Sequence, residues 1–166
     1  MYLRPLKQED ETTMTRLLTD PVIGKTFMLP DFPDREAAKP LFARMLELSR
    51  QEDRYIRGIC LEDRLIGFLN DTEIRDGQIE LGYVIDPAHH NRGYMTQALT
   101  LAIGQLLDMG FTRVVCGAFE ENAASLHVME KCGMQRQSYT DCVTYRGVSH
   151  QCIYYAIEKG YDHAEV

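Results

Sequence analysis

One stretch, Glu80 to Leu99, limits what this chain can fold into. It begins as an apolar strand, Leu81 to Ile85, and Asp86-Pro87 ends that strand because proline has no N–H to give to a ladder. A polar loop follows, His89-His90-Asn91-Arg92-Gly93. Apolar residues then recur at Met95, Ala98, Leu99, Ala102, Ile103, Leu106 and Leu107, the three-and-four spacing of one buried helix face. A strand, a glycine-bearing loop and a long helix, in that order, aim backbone N–H groups at an anion. The first helical turn leaves N–H groups without intrahelical acceptors, and the macrodipole adds positive potential there. Phosphates bind such an end. Gly93 lets the backbone approach closely, while Arg92 and Thr96 offer a charge-assisted and a hydroxyl contact. A strand-loop-helix unit that binds nothing is the competing reading. Neither Gly-x-x-x-x-Gly-Lys-Ser/Thr nor Gly-x-Gly-x-x-Gly occurs, which disfavours a nucleotidase or a dinucleotide enzyme.

The 166 residues suffice for a single domain, expected over 1–166, with a real core. A net charge of −7 argues against nucleic acid as a partner, since tracking phosphates needs a basic stripe. The same charge is compatible with a cationic substrate. Five cysteines (Cys60, Cys116, Cys132, Cys142, Cys152) form no Cys-x-x-Cys pair and read as reduced, small buried hydrophobes. His89-His90 suggests a metal only superficially, because adjacent residues diverge and no further ligands complete a site; no metal is expected. Met-Tyr-Leu-Arg-Pro-Leu enters structure without a cationic leader, and no apolar run reaches membrane-span length. The expectation is a cytoplasmic protein without a membrane partner.

Taken in order, the pattern predicts a strand over Tyr2–Leu6 and a helix with Met14, Leu17 and Leu18 inward, ending near Asp20-Pro21. Residues 21–33 carry Val22, Ile23, Phe27, Met28, Leu29 and Phe32, an ordered loop that either closes over something or plugs a core edge. Asp34 is a candidate N-cap for a helix with Ala37, Leu41, Met45 and Leu48 on one face, and Pro40 predicts a break near Ala38-Lys39. Strands follow over Tyr55–Leu61 and Arg64–Glu73, and Asp76-Gly77 is a strong hairpin signal. A strand at Arg113–Phe119 should run parallel to the central one, with the long helix as crossover. A short helix, Asn122–Lys131, turns Leu126, Val128 and Met129 inward and ends at Gly133 as a C′ residue. Two final strands, about 135–145 and 149–157, meet at a turn at Arg146-Gly147.

Two separated stretches resemble one family. Tyr83-Val-Ile-Asp-Pro-Ala-His-His-Asn-Arg-Gly-Tyr-Met-Thr-Gln-Ala-Leu99 resembles the acetyl-CoA-binding motif of the GNAT N-acetyltransferases. Asn122-Ala-Ala-Ser125-Leu-His-Val-Met-Glu-Lys-Cys-Gly-Met134 resembles the Asn-x-x-Ser…Glu-Lys-x-Gly-Phe signature of the RimJ/RimL-like branch, which acetylates ribosomal-protein N-termini. The sequence departs from the family at His90 and Met95, where Gln/Arg and Gly/Ala are usual, leaving Gly93 the one glycine of the loop. The resemblance implies an α/β (α+β) domain: a mixed, mostly antiparallel sheet of seven strands, helices on both faces and a splayed central strand pair. It also implies acetyl-CoA as cofactor, a primary amine as partner, and a monomer or homodimer.

The chemistry implied is direct transfer of acetyl from a thioester to an amine in a ternary complex. Coenzyme phosphates would then meet His90, Asn91, Arg92, Gly93, Tyr94, Met95 and Thr96, and the pantetheine arm would pair like an added strand with Tyr83, Val84 and Ile85. A backbone N–H near Val84 would face the thioester oxygen. Neutralising an α-amine of pKa ~8 at pH 7 costs on the order of 1 kcal/mol, against about 4–5 for a lysine. A base therefore helps an N-terminal substrate without being required. Glu80, acting through a water, is the candidate base; a strand-end surface carboxylate is the alternative. Asn122 would hold the pantetheine arm, cap its helix, or do both. Ser125 is the candidate donor to the departing sulfur, with Tyr139 as rival. A protein N-terminus, a polyamine, an aminoglycoside or another small amine all remain as acceptors. The alternative function is a non-catalytic acyl-CoA-binding module, and beyond it a domain that binds no CoA.

Overall fold

The computed structural model describes residues 1–160. Its elements run β1 (Tyr2–Arg4), α1 (Glu11–Leu18), α2 (Arg35–Leu48), β2 (Ile56–Leu61), β3 (Arg64–Arg75) and β4 (Gln78–Ile85). After these come α3 (Tyr94–Asp108), β5 (Arg113–Phe119), α4 (Ala123–Lys131), β6 (Gln135–Tyr145) and β7 (Val148–Glu158). The strands form one seven-stranded sheet in the order β1-β2-β3-β4-β5-β7-β6. Pairing is antiparallel in β1·β2, β2·β3, β5·β7 and β6·β7, and parallel in β4·β5, as a helical crossover between them demands. The β4·β5 register runs only from Gln78↔Arg113 to Leu81↔Cys116; β4 continues to Ile85 and β5 to Phe119.

The chain divides into two compact units, one of Met1–Asp71 with Gly82–Ala98, the other of Thr72–Leu81 with Leu99 onward. In the first, Met14, Leu17 and Leu18 of α1 and Ala38, Phe42, Met45 and Leu46 of α2 pack with Ile56, Leu65, Phe68 and Val84. Each such Leu or Phe contributes about 1.5–3 kcal/mol by leaving water. Two buried carboxylates are tied down by arginine. Asp10 takes two bonds from Arg4 (2.7 and 2.8 Å), and Asp71 takes Arg54 together with the Tyr55 N–H (2.6 Å).

Two expectations change here, and one open choice closes. The α2 helix is unbroken at Pro40, with Asp34 accepting from the Ala37 N–H at its start. Glu36 and Pro40 are both exposed, so the carbonyl that loses its N–H partner reaches water, while Ala38 and Phe42 are fully buried and hold the helix on course. Ala37 and Leu41 are only half-buried, so the inner face is rotated from the one expected. In the 21–33 loop Ile23 and Leu29 are buried and Phe27 meets Phe68 edge-on at 5.8 Å, whereas Val22 and Met28 are exposed. The loop plugs the core edge.

In the second unit, Leu99, Ala102, Ile103 and Leu106 of α3 are buried, as are Val114, Val115 and Cys116 of β5 and Met129 of α4. The α4 helix ends on Gly133 (φ +80°), with the Gly133 N–H on the Glu130 carbonyl and the Met134 N–H on that of Met129. Those two bonds satisfy carbonyls the helix end leaves open. Asp76 and Gly77 both have positive φ, as do Arg146 and Gly147, the backbone that two-residue hairpin turns need. Cys60, Cys116 and Cys152 are buried as expected, Cys132 is half-buried, and Cys142 is exposed. Cys142 lies on β6, one of the two edge strands of the sheet, with its Sγ 2.9 Å from Ser149 Oγ.

Candidate active site

In the first unit the end of β4 and the turn after it are fixed from two sides. A side chain on Gly67 would put its Cβ 2.2 Å from the Val84 carbonyl oxygen, so only glycine lets β3 approach β4 there. Asp86, buried, donates its N–H to the Ile66 carbonyl (2.7 Å), accepts from the Ala88 N–H (3.0 Å) and pairs with Arg16 of α1 at 2.6 Å. Burial alone would raise the Asp86 carboxyl, but the Arg16 guanidinium and the Ala88 N–H hold it below its ordinary value.

The loop that follows is exposed from His90 to Gly93. Asn91 and Gly93 have φ of +60° and +76°, and no atom lies within 4 Å of where a Gly93 Cβ would stand. His90 Nε2 sits 3.1 Å from the Ile85 carbonyl oxygen, so this ring folds back on the strand end. The first backbone bond of α3 runs from the Gln97 N–H to the Gly93 carbonyl at 3.1 Å, with Tyr94, Met95 and Thr96 forming the first turn. Met95 is buried: its side chain serves the core, and only its backbone belongs to the loop. Tyr83 and Ile85 are half-buried and Val84 buried. Open space beside Gly93, an exposed Arg92 and a helix start suit a phosphate-bearing group.

In the second unit Glu80 and Tyr139 line one recess of about 420 Å³, together with Glu73, Arg75, Gln78, Arg113, Asp141 and Tyr154. Glu80 is half-buried, and its carboxyl is pushed above the ordinary carboxylate value by burial first, then by Glu73 and Asp141, against a lowering bond from Thr72. Tyr154 donates its phenol to Asp141 Oδ2 at 2.9 Å, and its ring stands 5.2 Å from that of Tyr139. Burial raises the Tyr154 phenol, and the bond to Asp141 adds to it. The backbone makes room for this ring on both sides. Gly117 is its β5 partner, where a Cβ would come within 2.8 Å of the ring. On β6 the register passes from Arg136↔Tyr155 to Thr140↔Ile153, so Gln137, Ser138 and Tyr139 stand opposite Tyr154 alone, a bulge. Arg113 is engaged elsewhere, by Gln137 (2.8 Å) and Glu158 (3.4 Å).

Asn122 caps α4, its Oδ1 accepting from the Ser125 N–H at 3.3 Å; Asn122 and Ser125 are half-buried. One residue earlier Glu121 pairs with His150, whose ring stacks on Phe119 at 4.1 Å. Reading the sequence did not single out Glu73, Asp141, Tyr154 or His150. Alternation along β6 and β7 is too weak to assign faces, and the bulge shifts the period of β6 just before Asp141. Among the described residues no group of three or more His, Cys, Asp or Glu could hold a metal, and no helix is long and apolar enough to cross a membrane. Cys116, fully buried with its thiol raised by burial, is no candidate nucleophile.

A family model described as an acetyltransferase (GNAT) domain matches residues 1–135. The probable N-acetyltransferase YjcK of Bacillus subtilis (strain 168) is 27% identical over 150 residues, covering 82% of this chain and 81% of that protein. The spermidine N-acetyltransferase of Vibrio cholerae, solved with CoA and spermine, superposes with a TM-score of 0.80 at 16% identity over 95% of this chain and 94% of its own. The ribosomal-protein-S5-alanine acetyltransferase of Vibrio fischeri gives 0.79 at 15% identity, over 96% and 93%. At such identities the two structures establish a common fold.

Proposed function

The chain belongs to the GNAT acetyltransferase family, and from that premise we propose that it acts as one domain moving the acetyl group of acetyl-CoA directly onto a primary amine. Acetyl-CoA supplies an activated thioester acyl group; the rest of the chemistry falls to this chain's residues. The observation that carries the reading is the loop of the first unit, where Asn91 and Gly93 take left-handed conformations beside open space and lead into a helix start. In this reading the backbone from His90 to Thr96, with the Arg92 guanidinium, binds the phosphates. Tyr83, Val84 and Ile85 offer strand backbone to the pantetheine amides, and the Val84 N–H polarises the acyl oxygen.

Glu80 accepts the proton of the acceptor ammonium through a water. Its raised pKa suits a base working nearer neutrality than an ordinary carboxylate does. Ser125 donates toward the departing sulfur, with Tyr139 as the rival donor, and Asn122 orients the arm while capping α4. The acceptor is a protein N-terminal amine or a small-molecule amine, as the names of the related V. fischeri and V. cholerae enzymes illustrate.

The test is a mass-resolved acetylation assay with acetyl-CoA over peptides with free N-termini, polyamines, lysine peptides and aminoglycosides. Transfer to one class, lost in Glu80→Gln with coenzyme binding retained, supports the reading. Coenzyme binding without transfer to any amine overturns catalysis in favour of a binding module. CoA at a hundredfold over Kd should add about 2.7 kcal/mol of stability; its absence removes the coenzyme altogether.

A further inference from the structure

The recess of the second unit says more about the acceptor than the family does. Its volume, about 420 Å³, is large enough to take a small molecule. Its walls combine two tyrosine rings 5.2 Å apart with the carboxylates of Glu73, Glu80 and Asp141. Two arginines also line it, and each already pairs with a carboxylate. Arg113 bonds Gln137 and Glu158, both outside the recess lining, with its buried Nε left unpartnered, and Arg75, mostly exposed, lies 3.8 Å from Glu73. That leaves Glu80 and Asp141 without a cationic partner among the described residues. Glu80, raised first by burial, is raised further by the charges of Glu73 and Asp141.

Tyr154 donates its only proton to Asp141, so its phenol oxygen can only accept from a ligand. A carboxylate, an accepting phenol oxygen and the face of a neighbouring aromatic ring are the three groups that an alkylammonium binds. The fold keeps them in place by device, with Gly117 on one side of Tyr154 and the bulge on the other. A single-amine substrate would use Glu80 and leave Asp141 and Tyr154 idle.

We propose that the acceptor is a small amine with two cationic centres, a diamine or polyamine, whose reacting nitrogen faces Glu80 while a second ammonium is held by Asp141, the Tyr154 oxygen and the Tyr139 face. This deepens, and rests on, the acetyltransferase reading. The reacting ammonium gives one proton to Glu80, its nitrogen forms the amide bond as the C–S bond breaks, and the second proton it sheds passes to the departing thiolate, which leaves as the thiol. The second ammonium keeps its charge throughout.

The experiment measures binding and turnover separately. Equilibrium binding of 1,4-diaminobutane, butylamine and 4-aminobutanoate is followed by calorimetry on the full chain with CoA present, and acetylation of the same three is followed by mass. The diamine should bind at least tenfold tighter than butylamine, with the zwitterion weakest, and the preference should shrink as salt screens the partly exposed carboxylates. In Asp141→Asn the diamine-to-monoamine ratio should collapse to about one, and in Tyr154→Phe it should fall by severalfold. If butylamine or 4-aminobutanoate binds as well as the diamine, or Asp141→Asn leaves the ratio intact, the second-cation site is wrong while acetyl transfer still stands. If the diamine binds with the expected preference yet no amine is acetylated, the acetyltransferase reading fails and takes the acceptor assignment with it.

Discussion

Gly67 and Val84 are closer than any other residue would allow, because a Cβ at 67 would come within 2.2 Å of the Val84 carbonyl oxygen. The clash is with backbone, which no rotamer change relieves. Gly67→Ala must therefore push β4 away from β3 or strain both. The expected cost is about 2–3 kcal/mol, read as a lower urea midpoint, together with weaker CoA binding because Val84 and its neighbours shift. An unchanged midpoint would mean that the strands part at no cost.

The turn after β4 depends on charge. Asp10 and Asp86 both sit below the ordinary carboxylate value despite burial, held there by Arg4 and the Lys7 N–H in one case and by Arg16 and the Ala88 N–H in the other. A carboxyl whose folded pKa is depressed stabilises the fold above its unfolded value, about 3.9, and loses that contribution as pH falls through the folded value. Wild-type stability should drop steeply below about pH 4. Asp86→Asn should start lower and drop less, and a parallel acid profile would remove Asp86 from the account.

Arg16 is more than a third open to solvent, so its pair with Asp86 is worth less than a fully buried one. Arg16→Met should cost about 1–2 kcal/mol, measured by thermal unfolding. High salt should narrow the difference between the two proteins.

Glu80 has the opposite sign. Its folded pKa is raised, so the fold binds that proton more tightly than the unfolded chain does, and stability is lost as pH rises through the folded value. Glu80→Gln never ionises and should melt higher than wild type at pH 7 while acetylating more slowly. A variant that is both less stable and less active would point to a structural carboxylate.

Asn122 can be split into its two roles. Asn122→Ala removes the cap on the Ser125 N–H and should cost about 1 kcal/mol. Asn122→Asp keeps the cap, removes the amide donor and adds a negative charge. Loss of CoA affinity in both variants, with stability restored in the aspartate, assigns a ligand role beyond the cap. Affinity that tracks stability assigns the cap alone.

Much of this fold was legible because its strongest local signals agree with its tertiary structure. Asp76-Gly77 turns where it should, Arg113–Phe119 is a strand to the residue, and Met14, Leu17 and Leu18 are all buried. The failures share a cause. Pro40 reads as a break only until Ala38 and Phe42 are seen fully buried, because local propensity yields to packing. The loop and helix start of the first unit could be read from adjacent residues. The recess could not, because Tyr154, Asp141, Gly117 and Glu80 come from four strands, and the bulge before Asp141 breaks the alternation that would have announced its face.

That bulge also bears on how this protein could change its diet. Gln135 and Arg136 pair in register before it, and Thr140 to Tyr145 pair in register after it. One residue added or removed between them alters the reach of Tyr139 while the flanking ladder keeps its partners, since the slack is already outside the ladder. If the recess holds the acceptor as proposed, length variation there is a route to new acceptors, and a library built on Gln137, Ser138 and Tyr139 would explore it at little risk to the scaffold.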